Sequence, residues 1–288
     1  QILLLNPDAR LLPGCLLRLQ KTLSSSEKVG AVSPQIFWDD GLRFYLPPSI
    51  PLSLFESQAV FEAWGPKAPI NRLFSNIWRY HSIKIWRSKK PIRVKNLSGG
   101  LALLKRKAVI NAGGLFDPRF FLYFEDTDLF IRLRKAGYCL AIEPRAKAIH
   151  YYDQCGRNEW EKKRMLMARS HMLLLEKHGN GLKTRLRKGA GRFAPPARRD
   201  QKQVLQPRIT SPFVMKAPAH LQNGWLFEAS PNPTFIPSAG RFGKGDMVDF
   251  HEKYWSMLAP GQYYGRLGKP TGYSRRSEVI SWVVEEGI

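Results

Sequence analysis

Short apolar runs alternate with stretches of helical spacing over the first 180 residues, and this alternation limits the fold more than any other feature. Leu3 to Leu5, Val29 to Val32, Val94 to Leu97, Leu101 to Leu104, Tyr138 to Ile142 and Ala146 to His150 read as strands. Cys15 to Leu23, Arg106 to Ala112, Asp126 to Ala136 and Glu159 to His178 read as helices, each with an apolar stripe or a glycine stop. The expected class is α/β: an open, mixed sheet with flanking helices. Such sheets gather ligands at the carboxyl ends of their strands. Leu182 to Arg199 then holds seven Lys or Arg and no acid, which reads as a linker or basic arm. Beyond it, β-prone runs at Trp225 to Glu228, Thr234 to Ile236, Met247 to Phe250, Gln262 to Leu267 and Val279 to Val284 alternate with Gly, Pro and Asn turns. That spacing suggests a small all-β module. The expected organisation is therefore an α/β part at 1–180, a basic linker at 181–205 and a β-rich accessory module at 206–288.

Phe120 to Phe124 form an aromatic, strand-like run that ends in Glu125, Asp126 and Asp128. Carboxylates crowded beside a shielded aromatic surface repel one another and lose hydration. The roles that suit them are proton abstraction and metal binding. The plainer reading is that acids in a first helical turn favour the helix dipole. Three further groups sit at expected strand ends: Asp8 after the Asn6-Pro7 turn, the pair Gly99-Gly100, and His150. Paired glycines allow close backbone approach to a ligand, or make only a bend. A lone histidine is a metal ligand or a hydrogen-bonded core residue.

The charge narrows the partners. There are 46 Lys or Arg against 23 Asp or Glu, a net charge of +23, which attracts polyanions. Nucleic acid, anionic lipid and phosphorylated substrates all qualify, but no helix-turn-helix, zinc-finger or RNA-recognition signature is present, so a nucleic-acid partner is not expected. Cys15, Cys139 and Cys155 form no C-x-x-C pair, and an odd, sparse set fits a reducing compartment. No apolar run nears the roughly 20 residues of a membrane span. Arg72 to Trp86 mixes cations with Trp78, Tyr80 and Trp86 near helical spacing. It suits either a helix packed on its own domain or one lying on an anionic membrane surface. The chain opens inside an apparent strand, Gln1-Ile2-Leu3-Leu4-Leu5, as a truncated domain would.

Several blocks together carry a family resemblance. These are Leu4-Leu5-Asn6-Pro7-Asp8-Ala9, Leu97-Ser98-Gly99-Gly100, Gly113-Gly114-Leu115-Phe116-Asp117 and Phe121-Leu122-Tyr123-Phe124-Glu125-Asp126-Thr127-Asp128-Leu129. Arg132 to Tyr138, Ile149-His150-Tyr151 and Arg169 to Gly179 follow in the same order. Residues 1 to about 180 resemble the C-terminal two-thirds of inverting family 2 glycosyltransferases with a GT-A fold. The nearest kind is the rhamnosyltransferases of O-antigen and cell-wall synthesis. The resemblance implies a Rossmann-like GT-A domain lacking its first nucleotide-binding half. It also implies transfer of a sugar from a nucleotide-diphosphate donor, dTDP-rhamnose or similar, to a hydroxyl of a saccharide or lipid-linked acceptor.

The resemblance also implies roles. Asp126 matches the catalytic base. Asp8 and His150 match positions that hold a divalent cation, Mn²⁺ or Mg²⁺, on the diphosphate, with Asn6 replacing the first acid of that motif. The two should approach closely enough to share an ion. Glu125, Gly99 and Gly100 would lie against acceptor or donor. Asp128 and Asp117 read as turn residues. The implied location is cytoplasmic, with peripheral attachment to the inner face of the membrane. An inactive carbohydrate-binding scaffold is the alternative for this stretch, since most of the donor pocket would precede Gln1, and its activity on its own stays open.

Overall fold

The structure, a computed structural model, describes residues 1–50, 69–151, 160–179, 209–271 and 279–285. The linker expected at 181–205 lies outside the described residues. Along the chain the elements are β1 (Ile2–Leu5), β2 (Ala9–Leu11), α1 (Cys15–Ser24), β3 (Val29–Phe37), β4 (Phe44–Tyr45), α2 (Pro69–Trp86), β5 (Ile92–Val94) and β6 (Leu101–Leu104). There follow α3 (Arg106–Asn111), α4 (Glu125–Lys135), β7 (Cys139–His150), α5 (Trp160–His178), β8 (Phe213–Lys216) and β9 (Trp225–Ser230). The last are β10 (Ala239–Gly243), β11 (Met247–Phe250), α6 (Glu252–Trp255), β12 (Gly261–Gly268) and β13 (Val279–Val284). The chain divides into two compact units: 1–36, 48–62 and 85–194 in one, and 37–47, 63–84 and 195–288 in the other. Among the described residues no helix is long and apolar enough to cross a membrane.

The first unit is a largely antiparallel sheet with helices on both faces. β6 is the clearest case. All four of its side chains are apolar and buried, as a strand covered on both faces requires. Leu101 and Leu103 pack with Cys15, Leu19 and Leu23 of α1. Ala102 and Leu104 face the other way, onto Ala108 of α3 and Leu129, Phe130 and Leu133 of α4. β6 pairs antiparallel with β1, Leu5 opposite Leu101, and with β3, Val32 opposite Leu103. β7 pairs with β2, β3 and β5, and sets Ala9 opposite His150.

Two prolines lie inside strands without breaking the sheet. Pro34 lies within β3 and Pro144 within β7. The predicted strands at 138–142 and 146–150 are one strand. Ala141 and Ala146 pack into the same cluster although period-2 alternation would separate them. The facing shifts across Pro144, as one extra, bulged residue would make it do.

The aromatic run Phe120 to Phe124 is not a strand. It is a bend whose last two residues, Tyr123 (φ 67°) and Phe124 (φ 65°), adopt the left-handed conformation. Asp126 therefore sits in the first turn of α4 rather than at a strand end. Sheet pairing fails because the segment's groups go elsewhere: Ser170 Oγ of α5 donates to Leu122 O at 2.7 Å, and Phe124 stacks on His171 at 5.2 Å.

In the second unit the strand order is β4-β10-β9-β12-β13, all antiparallel, beside the separate pair β8-β11. Trp225, Phe227 and Trp282 are buried in its core with Phe44, Phe250 and Tyr254. The predicted strand at Thr234 to Ile236 is a turn. Asn232 Oδ1 accepts from Thr234 N and Oγ1 at 2.9 and 2.8 Å, an arrangement that holds the backbone out of a ladder.

Of the two readings of α2, a helix packed on its own domain accounts for its indoles. Trp78 and Trp86 are buried, and so is Arg79. Arg79 Nε and Arg266 Nε donate to Glu228 Oε2 at 2.7 and 2.8 Å, and Arg266 Nη2 reaches Glu228 Oε1 at 2.7 Å. The remaining guanidinium nitrogens donate to Thr271 O, Lys269 O and Ser75 Oγ. Burial pushes the Glu228 carboxyl up, but the two guanidinium groups outweigh it and hold it below the ordinary range. Replacing this carboxylate strands two buried cations. Glu228→Gln should therefore lower unfolding free energy by about 3–5 kcal/mol, read as a reduced urea midpoint.

Candidate active site

The turn after β1 opens the site. Asn6 N donates to Gly100 O at 2.9 Å, and Ala9 N to Asn6 O at 3.0 Å. Because β6 runs antiparallel to β1, its start, Gly100-Leu101, lies at the end of β1. The β2–β7 register then carries His150 to the same place. Asp8 Oδ1 and His150 Nε2 are 3.1 Å apart, with both side chains largely buried. Burial lowers the imidazole's affinity for a proton below the ordinary value, against the opposing pull of Asp8.

Two glycines connect this pair to the acid helix. A Cβ on Gly100 would stand 2.8 Å from His150 Cε1 and 3.1 Å from Asn6 Nδ2. A Cβ on Gly99 would stand 2.5 Å from Asp126 Cβ. Only glycine permits both approaches. Gly99 N donates to Asp126 Oδ2 at 2.7 Å, and Thr127 N to Asp126 Oδ1 at 2.6 Å. The structure thus brings Asp8, His150, Gly100, Gly99 and Asp126 together as one contiguous set.

Among the described residues, no Lys, Arg or His pairs with Asp126 or Glu125. Burial pushes Asp126 above the ordinary aspartate range, and the hydrogen bonds from Gly99 and Thr127 oppose it only in part. Glu125 is raised as well, first by burial and then by the charge of Asp126. Its buried Oε2 has no hydrogen-bond partner. The pair is poised to take up protons or donated hydrogen bonds.

Asp128 and Asp117 behave differently. Asp128 is fully buried and accepts from Arg132 Nε at 2.8 Å and His178 Nε2 at 2.7 Å, with Lys177 Nζ at 2.7 Å. Burial raises its pKa, but these three partners outweigh it and bring the group to about 2. Lys135 Nζ, a donor only, lies 3.0 Å from His178 Nδ1, so Nδ1 accepts and Nε2 carries the proton toward Asp128. Arg132 also donates to the carbonyls of Ala112, Gly114 and Leu115. Asp117 is held well below the carboxylate range by Arg119 and Lys177. Asp128 is thus more than a helix-turn residue: it ties α4 to α5. Its i, i+4 spacing to Arg132 was visible in the sequence, but Lys177 and His178 lie some fifty residues on.

No protein-family model matches the chain. Over 152 residues, 52% of the chain, the sequence is 32% identical to N-acetylglucosaminyl-diphospho-decaprenol L-rhamnosyltransferase of Mycobacterium tuberculosis, strains CDC 1551/Oshkosh and ATCC 25618/H37Rv alike. The match covers 46% of those relatives, so the chain spans about half the length of the curated proteins it matches. This similarity supports a relationship to glycosyltransferases.

A carboxyl with a depressed folded-state pKa stabilises the fold above its unfolded value, and that stability is lost as pH falls through the folded value. For Asp128 the window runs from pH 3.8 to about 2. The contribution at neutral pH is about 2 kcal/mol. Asp128→Asn should lower the urea midpoint at pH 7 and flatten the loss of stability between about pH 4 and pH 2. An unchanged acid limb in that variant would assign the effect elsewhere.

Proposed function

We propose that this chain is part of an inverting glycosyltransferase, of GT-A type and family 2. It would move a sugar from a nucleotide-diphosphate donor, dTDP-rhamnose or similar, to a hydroxyl of a lipid-linked saccharide in cell-surface polysaccharide synthesis. The observation that carries the reading is the convergence of Asp8, His150, Gly99-Gly100 and Asp126 at one end of one sheet. The matched relatives, whose name describes a decaprenol-linked GlcNAc diphosphate and rhamnosyl transfer, support the substrate classes.

In this reading Asp126 is the general base. Its carboxylate already accepts from Gly99 N, Thr127 N and Thr127 Oγ1, and a carboxylate has about four acceptor positions, so room remains for an acceptor hydroxyl. The hydroxyl proton passes to Asp126 as the oxygen bonds to the anomeric carbon. The bond from that carbon to the diphosphate oxygen breaks on the opposite face, and the nucleoside diphosphate leaves with the electron pair. Inversion follows from the single displacement. A raised pKa makes the ionised carboxylate a stronger base. Glu125, with one buried oxygen lacking a partner, would accept a neighbouring acceptor hydroxyl.

Asp8 and His150 fit a divalent cation in part. Among the described residues no group of three or more His, Cys, Asp or Glu could hold a metal. Mg²⁺-like ions, however, are commonly held by one or two protein groups plus substrate phosphates and water. One carboxylate and one imidazole match that pattern, and the imidazole favours Mn²⁺. Such an ion would neutralise charge on the departing diphosphate.

The test uses the full-length protein that carries this sequence, a dTDP-rhamnose donor and a GlcNAc-diphosphate-lipid acceptor. Asp126→Asn should cut transfer at least about 100-fold while donor affinity stays near wild type. Turnover close to wild type would remove Asp126 from the role of base. Chelation of divalent ions should abolish transfer and added Mn²⁺ should restore it; transfer indifferent to chelator would remove the metal.

A further inference from the structure

The two oxygens of Asp126 are held unequally. Oδ1 accepts twice from Thr127, from its N at 2.6 Å and from its Oγ1 at 3.2 Å. Among the described residues Oδ2 accepts once, from Gly99 N at 2.7 Å. Each carboxylate oxygen has about two acceptor positions. Both positions of Oδ1 are therefore taken, and one position of Oδ2 remains. The direction of the threonine hydroxyl follows from Asn96. Ile50 O can only accept, so the side-chain atom 3.1 Å from it is Asn96 Nδ2. The same Nδ2 donates to Thr127 Oγ1 at 3.3 Å. An amide nitrogen does not accept, so the hydroxyl proton is left for Asp126 Oδ1.

Asn96 and Thr127 are 6% and 5% exposed, so bulk water does not compete for these bonds. The amide keeps its orientation although its Oδ1 is buried with no hydrogen-bond partner, an arrangement that packing alone does not favour. The charged neighbours of Asp126 are few. Glu125 faces it from the same turn of α4. The turn before β6 brings Ser98 and two glycines, and His150 and Asp8 stand beyond Gly100. We infer that Thr127 is a positioning residue for Asp126: its hydroxyl, held as a donor by Asn96, fixes Oδ1 and leaves the open side of Oδ2 to the hydroxyl of the acceptor. The inference rests on the reading of Asp126 as the base. A hydrogen bond donated to the ionised carboxylate favours that form and opposes the effect of burial. Without it the neutral acid persists to higher pH, and less base is present at neutral pH.

The experiment is the pH–rate profile of transfer by the full-length protein, with the same donor and acceptor. Thr127→Val keeps the shape of the side chain and removes the hydroxyl. Its acid limb should move up by about one pH unit, the size of one hydrogen bond to a charged group, with the donor KM unchanged. Thr127→Ser should restore the wild-type limb. Asn96→Ala should move the limb in the same direction by less, because the hydroxyl is then free to turn away. The double variant should go no further than Thr127→Val alone, since Asn96 acts through the threonine. If Thr127→Val fails to fold, the serine variant and Asn96→Ala carry the test. A wild-type limb in Thr127→Val, or in Asn96→Ala where the valine variant does not fold, would overturn the inference. So would additive shifts in the double variant, or a serine that does not restore the limb. A threonine that only fills space would lower rate or stability at every pH and leave the limb in place. Asp126→Asn separates the two readings. If it turns over normally, the base assignment fails and this inference falls with it. If it is inactive while the Thr127→Val limb is unmoved, the inference alone fails.

Discussion

The candidate site depends on a carboxylate that takes no part in it. Asp128 is buried without exposure, and its charge survives only because Arg132, Lys177 and His178 converge on it. Arg132 extends the same hold to three carbonyls between Ala112 and Leu115. α5 in turn secures the bend before α4 through Ser170 and His171. That bend contains two consecutive non-glycine residues at positive φ, each costing on the order of 1–3 kcal/mol. Such strain persists only where surrounding contacts over-determine it. Here they do, and the result is a first helical turn that delivers Asp126 against the backbone of Gly99.

Comparison of the buried acids shows how environment separates structure from chemistry. Glu228 and Asp128 face guanidinium or ammonium groups and are pulled below the ordinary range. Asp126 and Glu125 are half-buried with only backbone and hydroxyl donors between them, and both are raised. The first pair resists protonation and fixes packing. The second pair lacks compensation, and a protein keeps such a pair where a ligand supplies what is missing. Sequence alone could not sort these acids. Asp126 and Asp128 are two residues apart, yet one faces Gly99 and the other faces α5.

What was legible in the sequence followed local rules. α1, α4 and α5 appear within a residue or two of their predicted ends, because apolar spacing and glycine stops are local signals. The strand-end groups were legible as a set, because turn residues mark where β1 and β6 stop and start. The failures are where tertiary contacts override local chemistry. Pro144 is accommodated by a shift of facing within a long strand. Aromatic residues at 120–124 have high strand propensity but spend their contacts on α5. α2 carries the right period, yet Ser75 and Arg79 are buried together with Trp78 and Trp86, since the distant Glu228 and Arg266 supply their partners. The moment of a helix reports that two faces differ; it does not report which one a partner network will claim.

Register makes the site an all-or-none property of the first unit. Leu5 opposite Leu101 sets Asn6 beside Gly100, and Ala9 opposite His150 sets Asp8 beside the imidazole. A slip of one residue in either ladder would turn every side chain of that strand to the other face. For β6 both faces are apolar, so burial alone does not forbid the slip. What forbids it is size: Leu101 and Leu103 pack among the leucines of α1, while Ala102 meets the side opposed by Phe130 and Leu133. Exchanging alanine and leucine between faces would overfill one cluster and leave a void in the other, each costing on the order of 1–5 kcal/mol. The one small residue of β6, Ala102 among three leucines, therefore holds the glycines, and through them Asp8, His150 and Asp126, at a common point.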